Sequence, residues 1–326
     1  MRKILVTVLG VLVLAGAAIG YVVSARTGAA VNAVPVQNGT IELGPDRLYF
    51  RNTAAGPDEG KLASLPSASS AVRLVDGLKC DRFALAKGTG ICLALQPGVL
   101  PPITDVVVVG RDMSVVYKKS LPGTPSRARV SPDGKIVYWT VFVTGDSYAA
   151  TGFSTRAGLY DLEKKQLVKS IEEMAVYVDG RRYRSSDINY WGITFAGDGN
   201  RFYATMASKG KTHLVEADYQ DFNGKATLEN VECPSLSPDE KRIAFKQRNP
   251  DGTWRLSVVE LATRKIVRTA ETGNVDDQPL WRDNTTLLYG LTGSDGGSDI
   301  WSVPANGSGA PVLVVPDAAS PAVLAR

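Results

Sequence analysis

Ser131-Pro132-Asp133-Gly134-Lys135-Ile136-Val137-Tyr138-Trp139 joins a tight turn to a β-branched and aromatic run. An Asp side chain bonds the backbone beyond it and Gly accepts positive φ without a Cβ penalty, so the first half predicts a hairpin turn. The second half predicts a strand. The pair recurs three times. Ala196-Gly197-Asp198-Gly199 precedes Arg201-Phe202-Tyr203-Ala204, Ser237-Pro238-Asp239-Glu240 precedes Arg242-Ile243-Ala244-Phe245, and Trp281-Arg282-Asp283-Asn284 precedes Thr286-Leu287-Leu288-Tyr289. The four acids lie 65, 41 and 44 positions apart, and a period of about 40 to 45 with a hairpin at each recurrence marks a β-propeller blade.

Each unit also carries a second hairpin. Leu159-Tyr160-Asp161-Leu162 turns over Glu163-Lys164-Lys165 into Gln166-Leu167-Val168, and Val258-Val259-Glu260-Leu261 turns over Ala262-Thr263-Arg264 into Lys265-Ile266-Val267. Two hairpins make a four-stranded blade. Working backwards, Gly44-Pro45-Asp46 leads into Arg47-Leu48-Tyr49-Phe50, and Ala86 to Gly90 separates Arg82-Phe83-Ala84-Leu85 from Ile91-Cys92-Leu93-Ala94-Leu95. Residues 41–316 then divide into six units averaging 46 residues. The expectation is an all-β, six-bladed propeller of four-stranded blades occupying 41–326. No 3.6-period run follows residue 30, while 32 Gly and 18 Pro supply turns.

A different element precedes the ring. Arg2 and Lys3 stand before Ile4 to Val23, 20 residues without a charge, which as one helix would reach about 30 Å and match a bilayer core. Residues 1–26 are therefore expected to form either an uncut signal anchor, with the propeller outside by the positive-inside rule, or a signal peptide cut near Val23-Ser24-Ala25. Residues 27–40 read as a short stalk. The formal charge is +4, but residues 1–26 contribute three of those charges and no acid. The remaining Lys and Arg pairs read as solvated strand ends, and no nucleic-acid partner is expected.

Three cysteines fit an oxidising compartment. Cys80 and Cys92 are the disulfide candidates, leaving Cys233 single. A turn at Ala86 to Gly90 predicts Cys92 opposite Ala84, which makes the bridge require Cys80 to fold back. The absence of CxxC spacing and of clustered His predicts no metal centre. Asp295 and Asp299 in a Gly-rich loop are too few acids to indicate calcium. Catalysis finds little to work with: His213, the one histidine, sits in an alternating strand pattern, and no Gly-x-Ser-x-Gly elbow is present. No cofactor is expected.

The Ser-Pro-Asp turns resemble the repeat of TolB, the periplasmic propeller protein of the Tol envelope system. The tract Cys233-Pro234-Ser235-Leu236-Ser237-Pro238-Asp239, with Val275-Asp276-Asp277-Gln278 and Trp301-Ser302-Val303-Pro304-Ala305, is similar to the TolB-like translocation proteins of actinobacteria. The resemblance covers residues 120–325 and implies a bacterial, extracytoplasmic, membrane-attached propeller. It brings no substrate. TolB also has an amino-terminal α/β domain for which this chain has only a stalk.

In a propeller the connections from each outer strand to the next inner strand meet at one mouth of the central channel. Arg127, Arg129, Asp187, Asn189, Tyr190, Trp191, Asp276, Asp277 and Gln278 fall on such connections and form the candidate binding set. Asp276 or Asp277 pairing with Arg127 or Arg129 would instead merely close the ring. The surplus of some twenty residues between Asp133 and Asp198 falls in Thr144 to Arg156 and Glu172 to Ser186, a stretch that is aromatic and basic and reads either as an interface or as a hairpin over a blade edge. The functional expectation is a noncatalytic, monomeric platform binding an envelope protein or cell-wall ligand. The alternative is a propeller lyase or lactonase-like hydrolase with a cation in the channel.

Overall fold

Each Ser-Pro-Asp turn is stapled by its own side chains. In the computed structural model, which describes residues 35–66, 72–143, 154–293 and 297–324, Ser131 Oγ donates to Asp133 Oδ1 at 2.5 Å and accepts from Ile136 N at 2.8 Å. Asp133 Oδ1 also accepts from Lys135 N. Ser237 and Asp239 repeat the arrangement on Arg242 N and Lys241 N. Asp198 and Asp283 each accept two backbone N–H groups, one from the turn and one from the first residue of the following strand. The side chains thus take up donors that the reversing backbone leaves unpaired.

Six sheets follow from these hairpins, each built on four antiparallel strands. The second blade is Arg82–Ala86, Thr89–Leu95, Ile103–Val109 and Val115–Pro122, and the third is Thr124–Val130, Ile136–Val143, Ser154–Asp161 and Gln166–Val168. The fourth begins with Asn189–Phe195, Arg201–Ser208, Lys211–Asp218 and Asn223–Glu229. The fifth is Glu232–Leu236, Arg242–Arg248, Trp254–Glu260 and Ile266–Arg268, and the sixth is Leu280–Trp281, Thr286–Thr292, Ser298–Pro304 and Val312–Val315. The expected count of blades is present.

The first blade departs from the sequence reading. Its inner strand is Ala318–Val323 from the carboxyl end, paired antiparallel with Arg47–Asn52, after which come Lys61–Pro66 and Arg73–Lys79. Val36–Asn38, expected within the stalk, adds a parallel fifth strand at the outer edge. The buried Arg73 ties this closure by donating to Asn52 Oδ1, Asp317 O at 2.9 Å and Pro316 O, with its guanidinium over the Phe50 ring. The hydrophobic run expected to enter a membrane lies outside the described residues. Among those described, no helix is long and apolar enough to cross one.

Strand alternation explains the core. Side chains of one strand point to opposite faces, and in a ring both faces meet a neighbouring blade, so the middle strands read as continuous apolar runs. Val137 and Trp139 pack towards the second blade, whereas Ile136 and Tyr138 pack towards the fourth. Ile243 and Phe245 face the fourth blade, whereas Ala244 faces the sixth. There is one apolar cluster at each of the six blade boundaries.

The long passage before the fourth blade resolves in part. Ala175–Val178 and Arg181–Tyr183 form a hairpin that joins the outer edge of the fourth blade beside Asn223–Glu229, making six strands. Its last strand exposes Arg181 and Arg182, charges that discourage further pairing at an open edge. Residues 144–153 of the same passage lie outside the described set.

The hairpin in the second blade is tighter than expected. Lys87 and Gly88, both at positive φ, turn it in two residues, and Cys92 falls opposite Phe83 rather than Ala84. Cys80 and Cys92 have Cα atoms 5.4 Å apart and bonded sulfurs, while Cys233 is free and buried.

Candidate functional site

Four inner strands are irregular, and the irregularity builds the channel. The ladder shifts between Thr140 and Val141 in the third blade, Trp191 and Thr194 in the fourth, Glu232 and Ser235 in the fifth, and Tyr49 and Arg51 in the first. Such bulges re-aim side chains and free backbone groups. Gln278 Nε2 takes up two freed carbonyls, Ile193 O at 3.1 Å and Pro234 O at 2.7 Å. Trp281 Nε1 donates to Ser235 O at 2.8 Å.

The segment entering the sixth blade leaves the ladder early. Its inner strand is only Leu280–Trp281, and the residues before it turn into the channel. Asp277 Oδ2 replaces the missing ladder acceptor for Gly290 N at 2.9 Å. From the opposite side of the ring, Arg127 in the third blade brings Nη2 to 3.6 Å from Asp276 Oδ1, and Arg129 Nη2 donates to Pro279 O at 2.8 Å. Arg82 lies 3.7 Å from Asp277 Oδ1, and the buried Lys246 Nζ contacts Asp276 Oδ1 while sitting 4.2 Å from the Trp254 ring centroid.

Three cationic side chains, Arg82, Arg127 and Lys246, therefore meet two carboxylates. Burial works against the charge of Asp276, but Lys246, Arg127 and Arg82 outweigh it and hold the carboxyl below its usual range. Burial, reinforced by Arg127, lowers the pKa of Arg82. Burial likewise opposes the charge on Arg127, yet the Cys233 sulfur and the two aspartates win and raise it. Asp276 remains more than half exposed at the rim.

The structure brings together Arg127, Arg129, Asp276, Asp277 and Gln278 of the candidate set. Asp187 lies apart, accepting from Ser185 Oγ, Ser208 Oγ and Lys209 N; these donors push its carboxyl down to about 2. Asn189 Oδ1 accepts from Ser154 Oγ and Thr155 N at the boundary between the third and fourth blades. Tyr190 is fully buried in the cluster at that boundary, where burial raises its phenol pKa. Trp191 is partly exposed on the same strand. Arg82 and Lys246 were not in the candidate set. Lys246, buried in the run Arg242–Arg248, could have been flagged as a cation at an inward strand position.

At its other end, where the inner strands run into their tight turns, the channel opens into a cavity of about 520 Å³ lined by all six blades. Neighbouring turns are bonded around this rim: Thr89 Oγ1 to Gly134 O at 2.9 Å, Gly197 N to Glu240 Oε1 at 2.6 Å, and Asp239 N to Asn284 Oδ1 at 3.0 Å. Among the described residues no group of three or more His, Cys, Asp and Glu is placed to hold a metal ion.

No family model matches the sequence, and no curated protein matches it. Among solved structures the fold is similar to TolB from Acinetobacter baumannii, with 16% identity over 93% of this chain and 71% of that one and a TM-score of 0.61. A nidogen/laminin complex chain matches with 10% identity over 79% of this chain and 89% of its own, at a TM-score of 0.53. An oligogalacturonate lyase in complex with manganese matches at 10% identity over 77% and 75%, with a TM-score of 0.48. At these identities the likeness defines a class by fold alone, the six-bladed propeller of which TolB is one example.

Proposed function

We propose that the chain is a noncatalytic, TolB-like binding platform of the bacterial cell envelope, attached to a membrane through its first residues with the propeller outside. The observation that carries this reading is the pairing at the blade-entry face. Both channel acids are matched by cations, the Gln278 amide nitrogen donates to two carbonyls, and opposite blades are joined across the ring. Groups so engaged give a rigid rim of mixed charge, as recognition needs, whereas a general acid or base must be free to exchange a proton. The same pairing opposes a resident cation there, because Lys246 and Arg127 already occupy Asp276.

The partner expected on this face is an envelope protein or a cell-wall polymer. The test uses the full-length protein in its native envelope, carrying a photo-crosslinking residue at Asp276 or Trp191 on this face, or at Val312 on the outer strand of the sixth blade. A discrete crosslinked partner from the first two sites and not from Val312 is the expected result. Crosslinking confined to Val312, or none from any site, would remove the blade-entry face as the platform.

A further inference from the structure

Arg129 differs from its two arginine neighbours. Arg82 and Arg127 each have a carboxylate partner, but Arg129 forms no ion pair among the described residues and donates to Pro279 O. Arg129 is also among the residues lining the cavity at the hairpin-turn end of the channel. The remaining walls there are chiefly apolar, supplied by Leu85, Phe195, Leu236, Leu280, Trp281 and Val323.

We propose that this cavity binds an organic carboxylate with an apolar body, the Arg129 guanidinium receiving the carboxylate and the Leu, Phe and Trp walls receiving the body. A planar guanidinium offers several N–H donors in a fork that matches a carboxylate, and the bond to Pro279 O uses one of them. Burial, with Asp277 opposing it, pushes the Arg129 pKa down to about 10, which leaves it a cation at neutral pH. The surroundings keep the positive potential. Glu240 at the rim is neutralised by Arg201 at 2.6 Å, Lys87 lines the same opening, and the Arg242 guanidinium lies 5.2 Å from the Trp281 ring centroid. A volume of about 520 Å³ falls within the range of small-molecule sites. A metal cation would meet repulsion at this floor, and a fully apolar ligand would desolvate the guanidinium while leaving its other N–H groups without an acceptor.

The same chemistry is offered by a free short-chain acid and by a peptide carboxyl terminus with an apolar side chain. The site lies at the opposite end of the channel from the blade-entry face, so it does not depend on the platform reading. Calorimetry on the full-length protein in detergent tests it with hexanoate, its neutral isostere hexanamide, acetyl-alanyl-leucine and the amide of that peptide. A charged hydrogen bond lost from an enclosed site costs about tenfold or more in affinity, so each amide is expected to bind at least about tenfold more weakly than its acid. The tighter of the two acids identifies the source. Arg129→Gln is expected to lose affinity by a similar factor and Arg129→Lys by less. Ala86→Trp, which obstructs the cavity from its wall, is expected to abolish binding with Arg129 intact. Equal affinity for acid and amide would overturn the proposal, as would no binding of either acid, or binding unchanged by both Arg129→Gln and Ala86→Trp.

Discussion

Arg127 and Asp276, 149 residues apart, meet across the channel at 3.6 Å and join the third blade to the entry of the sixth. These blades are opposite one another in the ring, so the pair acts as a strut that no sequential contact could replace. Arg129 and Pro279 add a second bond in the same direction. Because Asp276 is exposed at the rim, screening limits the worth of the ion pair, and a double-mutant cycle of Arg127→Met and Asp276→Ala is expected to give a coupling of about 1 kcal/mol. Urea denaturation of the four proteins measures it. A coupling indistinguishable from zero would mean that the strut holds nothing.

Asp277 does two jobs that substitution can separate. Its Oδ2 stands in the ladder for a backbone carbonyl opposite Gly290, and its Oδ1 faces Arg82. Asp277→Asn keeps an oxygen acceptor and loses the charge, whereas Asp277→Ala loses both and leaves the part-buried Gly290 N–H unpaired. The alanine variant should therefore be less stable than the asparagine variant by about 1 to 2 kcal/mol. Equal denaturation midpoints for the two would show that only the charge matters.

The turns and the middle strands were legible because two physical demands coincide there. Asp133, Asp198, Asp239 and Asp283 satisfy reversing backbone, and the strands that follow are apolar on both faces because each is sandwiched between blades. Ala318–Val323 was not legible. It is the inner strand of the first blade, yet its Ala-Ala-Ser-Pro-Ala-Val composition has little strand propensity. The candidate site was half legible for a related reason. Placement on entry connections located Arg127, Arg129 and Asp276 to Gln278, but the ladder shift at Trp191 in the fourth blade's inner strand and the apolar fit of Tyr190 directed Asn189 and Tyr190 into a blade boundary. One-residue register changes of that kind reverse the face a side chain takes, and the spacing of acids cannot reveal them.

Acid should loosen the turns together. Burial works against the charges of Asp198, Asp239 and Asp283, but backbone and hydroxyl donors and, for Asp198 and Asp239, a neighbouring arginine outweigh it and hold all three carboxyls below their usual value, while Asp187 is held at about 2. A carboxyl whose folded pKa is depressed stabilises the fold above its unfolded pKa, and that stability disappears as pH falls through the folded value. The urea midpoint should therefore hold level above about pH 5 and fall steadily below about pH 4. Asp187→Asn should make the fall shallower below pH 4. A midpoint that stays level down to pH 2.5 would contradict the assignment of these four acids.

Gly192 marks a close approach between the neighbouring inner strands of the fourth and fifth blades. Its φ is +64°, and a Cβ built on it would lie 2.6 Å from the Cα of Cys233, itself at a φ of +50°. Positive φ costs an ordinary residue of order 1 kcal/mol or more. The clash adds to it, because the obstacle is backbone and cannot swing away as a flexible side chain would. Gly192→Ala is accordingly expected to lose about 2 kcal/mol or more, lowering the melting temperature by roughly 5 °C in a domain of this size. Gly77→Ala is the matched control, since its Cβ would meet nothing within 4 Å and its φ is not positive; it should stay within about 0.5 kcal/mol of the parent. Cys233 N is held by Thr205 Oγ1 at 2.8 Å, so Thr205→Val should allow the fifth blade to shift and relieve part of the Gly192→Ala loss. If the double variant is as unstable as the sum of the two single ones, the loss belongs to the φ of Gly192 alone and not to its approach to Cys233.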